Sequence, residues 1–329
     1  MNVVVIGLGS MGRRRVRLVK QYIEKEKKKD WLIAGVDSQI EKCELAKKEC
    51  QIETYADLSL ALNANKFDAA IVSTSPLSHN EIISECLNCG LHVFTEINLV
   101  ADGYDTNINL AKKNEKQLFL SSTPMYRREM EYIINLAKKN NTGMYHYHIG
   151  QYLPEWHPWE SYNNFFVGDR RTNGCREIFA IELPWLTEAF GEIVELNCVH
   201  KKNSDLKINY DDSYIVQLTH ASGVIGVLMV DVVTPRAGRE FEYYGENFYC
   251  EWKGVPSSLK LFDKESRELF AVNLYSDYEH LDGYNSFVVE NAYYDEISNF
   301  FNVINKSEQP RYSFEKDYKI LKIIDKIEA

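Results

Sequence analysis

The stretch Val3-Val4-Val5-Ile6-Gly7-Leu8-Gly9-Ser10-Met11-Gly12 joins a short apolar run to a glycine-rich turn. An apolar run of this length is typical of a strand that a parallel sheet buries on both faces. The segment that follows has Val16, Val19 and Ile23 at spacings of three and four, which predicts an amphipathic helix. A strand, a glycine-rich turn and a helix therefore follow one another at the start of the chain.

The glycines of this turn have the spacing G-x-G-x-x-G. Gly7 would permit the tight turn, Gly9 would let a pyrophosphate approach the backbone, and Gly12 would let helix and strand pack closely. The first N–H groups of the helix, near Ser10 and Met11, would bind the phosphates. Because a strand precedes the motif and a helix follows it, we interpret it as a dinucleotide site rather than a turn without a ligand.

Asp37 ends the second predicted strand, somewhat further from the glycines than the usual spacing of about 20 residues. A carboxylate there binds the ribose hydroxyls of the dinucleotide and repels a 2′-phosphate. NAD is therefore the expected cofactor. Ser38 and Arg13 stand near enough to keep NADP as an alternative.

Strands and helices alternate through residues 1–122, which predicts an α/β domain with a doubly wound parallel sheet. The predicted strands are Asn2–Ile6, Trp31–Val36, Ala69–Ser73, His92–Thr95 and Gln117–Ser121. After Pro124 the pattern changes to helices and successive strands, including a helix at Glu177–Phe190. We therefore predict a Rossmann domain at 1–122 and an α+β domain with a large, mainly antiparallel sheet at 123–329.

Composition limits the partners and the compartment. The chain has 329 residues and a formal net charge of −10, which argues against nucleic acid or an anionic membrane as the main partner. No apolar run approaches the ~20 residues of a membrane span, and the first residues lack the pattern of a signal peptide. The seven cysteines, including Cys86 and Cys89 within a predicted helix, are expected to be reduced thiols. We expect a cytoplasmic protein without a metal site.

With these residues in view, the chain resembles the Gfo/Idh/MocA oxidoreductases, the family of glucose–fructose oxidoreductase and inositol dehydrogenase. Residues 73–79, Ser-Thr-Ser-Pro-Leu-Ser-His, resemble the family's loop after the fourth strand. Residues 89–96 resemble the segment that leads into its E-K-P motif, and Tyr126-Arg127-Arg128 is similar to the start of its second domain. The likeness is strong over residues 1–130 and thinner beyond.

The resemblance implies how the chain would work. A sugar-like substrate would bind in a cleft between the two domains, and hydride would pass to or from a nicotinamide at the domain interface. The resemblance also implies a homodimer or homotetramer packed through the C-terminal sheet. The residues that it assigns to the cofactor site, beyond the glycine-rich turn, are Ser73, Thr74, Pro76, His79 and Glu96.

Two departures from the family pattern concern proton transfer. The lysine of E-K-P exchanges a proton with the substrate hydroxyl in the family, but here Glu96 is followed by Ile97 and Asn98. The histidine that a helix of the second domain carries into the cleft falls at Ile181. Isoleucine can neither move a proton nor bind a hydroxyl. The family's usual proton-transfer pair is therefore missing.

The loop at 152–160 could replace the missing groups. Histidine side chains commonly exchange protons in catalysis, so His157 could serve as the catalytic base. Trp156 and Trp159, on either side of it, could stack on a sugar ring. The alternative is a loop that packs its own aromatic side chains, with His157 bonded to a carbonyl group.

Four further candidates lie near predicted element ends. Arg176 could bind a substrate carboxylate or phosphate, and Glu177 beside it could act in catalysis; the alternative is a local ion pair at a helix start. Tyr126, as a catalytic group, and Arg127, as a substrate ligand, follow the last Rossmann strand, at the end where such sheets bind ligands. An interdomain salt bridge is the alternative for Arg127. Glu182 is expected at the helix surface.

The leading hypothesis is an NAD(P)-dependent oxidoreductase that acts on a sugar, a sugar nucleotide or a polyol. The alternative is a catalytically altered or inactive dinucleotide-binding member of the family, acting as a sensor or partner subunit, and it is motivated by Ile97 and Ile181. A lyase or isomerase that uses NAD transiently is a third reading, because a shared fold does not fix the reaction type.

Overall fold

The computed structural model describes residues 1–140, 142–157, 160–276, 278 and 287–329. The chain divides into two units. The first consists of Met1–Ser122 and Tyr293–Tyr318, and the second of Thr123–Ala292 and Lys319–Ala329. Both predicted domains, 1–122 and 123–329, are continuous in sequence. In the structure the segment Tyr293–Tyr318 belongs with the Rossmann unit, and periodicity gives no sign of this because it does not reveal which core a helix joins.

Six parallel strands form the sheet of the first unit: β1 (Val3–Ile6), β2 (Ile33–Val36), β3 (Glu53–Tyr55), β4 (Ala69–Val72), β5 (His92–Thr95) and β6 (Leu118–Leu120). Their order is β3-β2-β1-β4-β5-β6, which is the doubly wound Rossmann order. The predicted parallel sheet is confirmed, with one strand more than expected. β3 was missed because its three residues, Glu-Thr-Tyr, carry no apolar run.

Nine helices are found in the described residues: α1 (Ser10–Lys25), α2 (Ile40–Cys50), α3 (Leu58–Ala64), α4 (His79–Asn88), α5 (Tyr104–Lys113), α6 (Arg128–Lys139), α7 (Gly174–Phe190), α8 (Glu290–Ile304) and α9 (Phe314–Ile327). Among these residues no helix is both long and apolar enough to cross a membrane. The strand β1 is fully buried along Val3–Val5. The helix α1 buries Val16 and Val19 as its periodicity predicts, so strand and helix hold the turn between them in place.

Eight strands form the sheet of the second unit: β7 (Met144–Gly150), β8 (Ile193–Lys201), β9 (Ser213–His220), β10 (Ile225–Asp231), β11 (Gly238–Gly245), β12 (Phe248–Trp252), β13 (Lys260–Phe262) and β14 (Leu269–Ala271). The order is β14-β13-β12-β11-β7-β10-β9-β8. Among the described strand pairs of this second sheet, β7 and β10 are parallel and the others are antiparallel. The predicted large, mainly antiparallel sheet is therefore confirmed.

The two faces of this second sheet differ. On one face Tyr147 and Phe241 pack around Trp185 of α7, with ring centroids 5.3 to 5.6 Å apart. On the other face Met144, Ile215 and Ile225 are each about half exposed. The alternation of side chains along a strand puts the two sets on opposite faces, so α7 covers one face and leaves an apolar surface on the other.

Candidate functional site

The glycine-rich turn lies at the carboxyl end of β1, beside β4, where the strand order reverses. A Cβ on Gly7, whose φ is +89°, would lie 2.6 Å from the Ser73 carbonyl oxygen. A Cβ on Gly12 would lie 1.8 Å from the Gly7 carbonyl oxygen. The chain's own backbone therefore requires these two glycines, as predicted for the tight turn and for helix–strand packing.

Gly9 is different, because a Cβ there would meet nothing within 4 Å and its φ is −63°. Neither sterics nor backbone conformation demands a glycine at this position. The absence of a side chain instead leaves open space against the backbone where α1 begins, and Gly9 has no side chain to cap the first N–H groups of the helix. Open backbone at a helix N-terminus fits a pyrophosphate, so the residues present fit a bound dinucleotide.

The carboxylate of Asp37 lies at the same edge of the sheet. One oxygen accepts a hydrogen bond from Leu8 N at 2.8 Å and the other from Gln39 N at 2.9 Å. These bonds hold the carboxylate beside the glycine-rich turn, while each oxygen keeps a further lone pair. Arg13 is directed elsewhere: its Nε lies 3.0 Å from a Glu49 carboxylate oxygen and its Nη1 donates to Leu8 O. This arrangement favours ribose hydroxyls over a 2′-phosphate.

We expect Asp37→Ser to shift the cofactor preference toward NADP by about tenfold or more, because it removes the charge that repels the 2′-phosphate. The ratio of the dissociation constants for NADH and NADPH, from quenching of tryptophan fluorescence, measures the shift. The matched control is Asp57→Ser, which replaces an exposed N-cap of α3 and should leave the ratio unchanged. An unchanged ratio in Asp37→Ser would contradict the role given to this carboxylate.

The loop after β4 is fixed by a chain of hydrogen bonds. Ser78 Oγ donates to Thr74 Oγ1 at 2.9 Å, and Pro76 opens a short 3-10 turn that leads into α4. His79, the first residue of α4, is 2% exposed, and its Nε2 lies 3.0 Å from the Thr74 carbonyl oxygen. Burial lowers the pKa of His79, so the ring is neutral at pH 7. Ser73 begins this loop, and the packing of Gly7 and Gly12 against it places the two loops side by side.

Glu96 binds Arg15 with both carboxylate oxygens, at 2.5 and 2.9 Å. Arg15 is fully buried on α1, and it also lies 2.9 Å from the carboxylate of Glu296 on α8. Glu296 in turn accepts hydrogen bonds from Ser121 Oγ and Ser122 N. Burial raises the pKa of Glu296. The Glu96 carboxylate, predicted for the cofactor site, is thus engaged in a buried ion triad that joins α1, β5 and α8.

The two positions that depart from the family pattern are both apolar and both part-exposed in the structure. Ile97 lies just beyond the carboxyl end of β5, and Ile181 lies on α7. Asn98, at the position of the family's proline, is 2% exposed and contacts His79. The sequence pattern did not predict this contact. The one available signal was an asparagine between two apolar residues, because asparagine is rarely buried.

The aromatic loop is described except for residues 158 and 159, so Trp159, a predicted substrate ligand, lies outside the described residues. His157 Nδ1 lies 2.9 Å from a Glu160 carboxylate oxygen, and its ring centroid is 4.1 Å from that of Phe165. Trp156 Nε1 donates to Gln151 O at 3.2 Å. His157 thus pairs with a carboxylate, whereas a carbonyl group was considered above, and its ring packs against Phe165.

Arg176 forms ion pairs with distant residues, whereas the alternative considered above was a local ion pair at the helix start. Its guanidinium lies 2.7 Å from a carboxylate oxygen of Asp325 and also binds the carboxylate of Glu328. Glu328 further accepts from the Asn173 side chain at 2.7 Å. Both acids come from the C-terminal end of the chain. These bonds hold that end against the start of α7, so substrate binding by Arg176 would have to compete with two internal carboxylates.

Glu177 stands in the first turn of α7, where the Asn173 side chain caps the helix by accepting from Arg176 N. The residue is part-exposed, but its Oε2 is buried and has no hydrogen-bond partner among the described residues. Burial raises the pKa of Glu177 to about 8. No cation offsets this effect, so the carboxyl is a proton donor at neutral pH and a base just above it.

The remaining candidates are enclosed in the second unit. Arg127 is buried, binds Glu129 at 2.5 Å and donates to the carbonyl groups of Gly254 and Phe287, so the partners of its guanidinium lie within this unit. Tyr126 is 4% exposed. The expectation for Glu182 was wrong. It is buried, because its carboxylate accepts hydrogen bonds from Tyr147 Oη at 2.8 Å, Trp185 Nε1 and Arg239 Nε.

Comparison with known proteins finds one matching family model and many solved structures with a similar fold. The model of the oxidoreductase family Gfo/Idh/MocA, NAD-binding Rossmann fold, matches residues 1–122. None of the curated protein sequences matches the chain. Among solved structures, the WlbA dehydrogenase from Bordetella pertussis in complex with NADH and UDP-GlcNAcA is 14% identical, with a TM-score of 0.77 over 99% of this chain and 94% of that one.

Two further structures have the same fold. The UDP-N-acetylglucosamine 3-dehydrogenase GnnA from Acidithiobacillus ferrooxidans is 15% identical, with a TM-score of 0.73 over 100% of this chain and 96% of that one. An oxidoreductase from Agrobacterium radiobacter in complex with NAD+, L-tartaric acid and magnesium is 12% identical, with a TM-score of 0.77 over 99% and 94%. Residues 1–122 therefore match the NAD-binding Rossmann fold of the Gfo/Idh/MocA oxidoreductases, which confirms the predicted family resemblance, cofactor and enzyme class.

Proposed function

We propose that the chain is an NAD-dependent dehydrogenase that oxidises or forms a secondary alcohol on a sugar, most specifically on a sugar nucleotide. The observation that carries the proposal is the open backbone at Gly9, next to the Asp37 carboxylate, in a domain of an NAD-binding oxidoreductase family. Two proteins of the same fold are named for or bound to UDP-linked amino sugars, and this supports the choice of substrate class. NADP stays a secondary cofactor.

We further propose that Glu177 takes the proton that the family's lysine and histidine would handle. Oxidation of a sugar CH–OH group transfers a hydride to NAD+ and releases the hydroxyl proton, which needs an acceptor. A carboxylate whose pKa is about 8 is well matched to this task near neutral pH. In the reverse direction the protonated carboxyl returns the proton. His157, already paired with Glu160, and the buried Tyr126 are the weaker candidates.

The experiment that tests the proposal has two stages. NADH binding is measured first, with Gly9→Val as the control variant, because its side chain would fill the open space at the turn. Nicotinamide absorbance is then followed with NAD+ or NADH and a panel of UDP-sugars, free sugars, uronic acids and polyols. Turnover with at least one member is expected. Binding without any turnover across the panel would contradict the proposed activity, and absence of binding would contradict the site itself.

A second candidate function rests on Ile97, which presents an apolar, part-exposed side chain where the family has its lysine. In this case the chain would bind the dinucleotide without catalysis, as a sensor or partner subunit. The carboxyl of Glu177, whose pKa burial raises and whose Oε2 has no hydrogen-bond partner in the described part of the chain, favours the catalytic proposal, because an inactive chain has no need to keep a group that destabilises its folded state.

We propose that two copies associate through the uncovered face of the second sheet, where Met144, Ile215 and Ile225 are about half exposed. A second copy of the chain suits this face, since flat apolar surfaces pair isologously about a two-fold axis. The double variant Ile215→Asp/Ile225→Asp should shift the sedimentation coefficient to that of a monomer. Ile40→Asp, at an exposed isoleucine of the first unit, is the control and should not. A monomeric wild-type chain would contradict this assembly.

A further inference from the structure

Asn98 stands out among the buried polar groups that the proposed reaction does not use. It lies in the loop after β5, it is 2% exposed, and its side-chain amide lies 2.6 Å from Nδ1 of His79. His79 belongs to the loop after β4. The contact therefore links the loops that follow two neighbouring strands of the Rossmann sheet, at their carboxyl ends.

This link lies on a particular side of the dinucleotide site. The glycine-rich turn and Asp37 follow β1 and β2, on one side of the point where the strand order reverses. They serve the adenosine half of a dinucleotide, whose ribose the acidic residue binds. The loops after β4 and β5 lie on the other side of that point. A dinucleotide that spans the crevice places its nicotinamide half there.

The hydrogen bonds of His79 determine whether the Asn98 amide must donate or accept a hydrogen bond. The Thr74 carbonyl oxygen can only accept, so Nε2 of His79 carries the proton. The ring is buried and, among the described residues, its hydrogen-bond partners are an amide, a carbonyl group and a hydroxyl, which disfavours a second proton. Nδ1 is then an acceptor and needs a donor. Thr95 Oγ1 lies 3.3 Å away but also donates to Glu96 O, which leaves the Asn98 amide as the closer partner.

The orientation of the amide follows from this requirement. With Oδ1 toward Nδ1, the ring would face two acceptors and Nδ2 would be buried without a partner. With the amide turned by half a rotation, its NH2 group donates to Nδ1, and the ring then faces one donor and one acceptor. A proline at this position, as in the family's E-K-P motif, has no such donor.

We infer that Asn98 is a positioning residue for the nicotinamide half of the cofactor: its amide donates to His79 and holds the loops after β4 and β5 together. The inference rests on the proposed NAD site. It assigns a role to the one motif position where this chain has a buried polar side chain in place of the family's proline. Asn98 acts through His79, so the two residues form a single unit.

Affinity for two ligands tests the inference. NADH contains the nicotinamide half and ADP-ribose lacks it, so the ratio of their dissociation constants reports on that half alone. We expect Asn98→Val to weaken NADH binding by about tenfold, the usual cost of an unpaired buried acceptor, with ADP-ribose affinity unchanged. Asn107→Val removes another buried amide of the same unit, bonded to Ser84 and Asn80, and should leave the ratio unchanged.

Two further measurements separate positioning from general damage to the fold. In a double-mutant cycle with His79→Gln, the effects of Asn98→Val on the NADH affinity should be strongly non-additive. The ¹⁵N chemical shifts of the His79 ring should show a neutral ring protonated at Nε2 in the wild-type chain. A ring protonated at Nδ1, or additive effects in the cycle, would overturn the inference. Failure of wild-type NADH binding would instead overturn the NAD site on which it rests.

Discussion

Glu177→Gln is expected to lower turnover by about 10²–10⁴-fold while it makes the folded chain more stable at alkaline pH. Turnover falls because the amide cannot accept or return a proton. Gln keeps the shape of the side chain, so NADH affinity should stay within about twofold of the wild-type value if the effect lies in proton transfer. A loss of activity together with a gain in stability is expected where a functional side chain lowers the stability of the folded state.

The sign of the stability effect follows from the pKa. Burial raises the pKa of Glu177 in the folded chain to about 8, from an ordinary value of 4.5. Between these values the folded state binds the proton more tightly than the unfolded state does. Wild-type stability therefore falls as pH rises through this range and stays reduced above it. Gln carries no charge, so the variant should be more stable than the wild type by about 2–4 kcal/mol at pH 9 and similar to it at pH 4.

Urea unfolding at a series of pH values between 4 and 9, with the pH dependence of kcat/KM, measures both effects. Glu188→Gln is the matched control, because Glu188 lies on the same helix in a part-exposed ion pair with Lys138. Its variant should shift stability by less than ~1 kcal/mol. A stability difference between Glu177→Gln and the wild type that does not grow with pH would contradict the buried, unpartnered carboxyl. An unchanged turnover would contradict its role in proton transfer.

Arg15→Met is expected to destabilise the chain by about 3–5 kcal/mol. Arg15 binds both Glu96 and Glu296, and all three side chains are wholly or nearly buried. Without the guanidinium, two carboxylates would face each other in a region of low polarity. Glu296→Gln should be milder, since it leaves the two hydrogen bonds between Arg15 and Glu96 and removes a carboxyl whose pKa burial already raises.

Chemical denaturation of the chain without cofactor measures this effect. Arg13→Met makes the same substitution on the same helix, at an arginine whose acidic partner Glu49 is about half exposed, and should change stability by less than ~1 kcal/mol. The combined variant Arg15→Met/Glu296→Met should recover part of the loss, because it removes a charge from each side of the triad. Equal stability of Arg15→Met and the wild type would show that the triad does not hold α8 on the Rossmann sheet.

The parts of the cofactor site that depend on close backbone contacts and on the end of a strand could be predicted from the sequence. Gly7 and Gly12 are required by close backbone contacts, and Asp37 by its place at the end of β2. These residues lie within one strand–turn–helix–strand unit, so local pattern is sufficient.

The helix α7 starts at Gly174, three residues before the predicted start at Glu177, because the Asn173 side chain caps it. Asparagine is a preferred N-cap residue, so this signal was present in the sequence.

The parts that depend on distant partners could not be predicted. Arg15 and Glu296 lie near opposite ends of the chain, and no spacing rule connects them. The carboxylate of Glu182 was expected at the surface because Glu usually is, but three donors from β7, β11 and α7 itself make its burial favourable. Arg176 likewise has its partners on the last residues of the chain. In each case a buried charge reveals a contact that only the folded chain brings together.

Proton transfer by Glu177 is tested by comparing the turnover of the wild-type chain with that of Ile97→Lys, which restores the family's lysine, on the same panel of sugar nucleotides with NAD+ or NADH. We expect that the wild-type chain turns over and that Glu177→Gln abolishes this activity. Turnover by Ile97→Lys alone, with an inactive wild-type chain that still binds NADH, would contradict this expectation and would show a dinucleotide-binding protein that has lost its catalytic group.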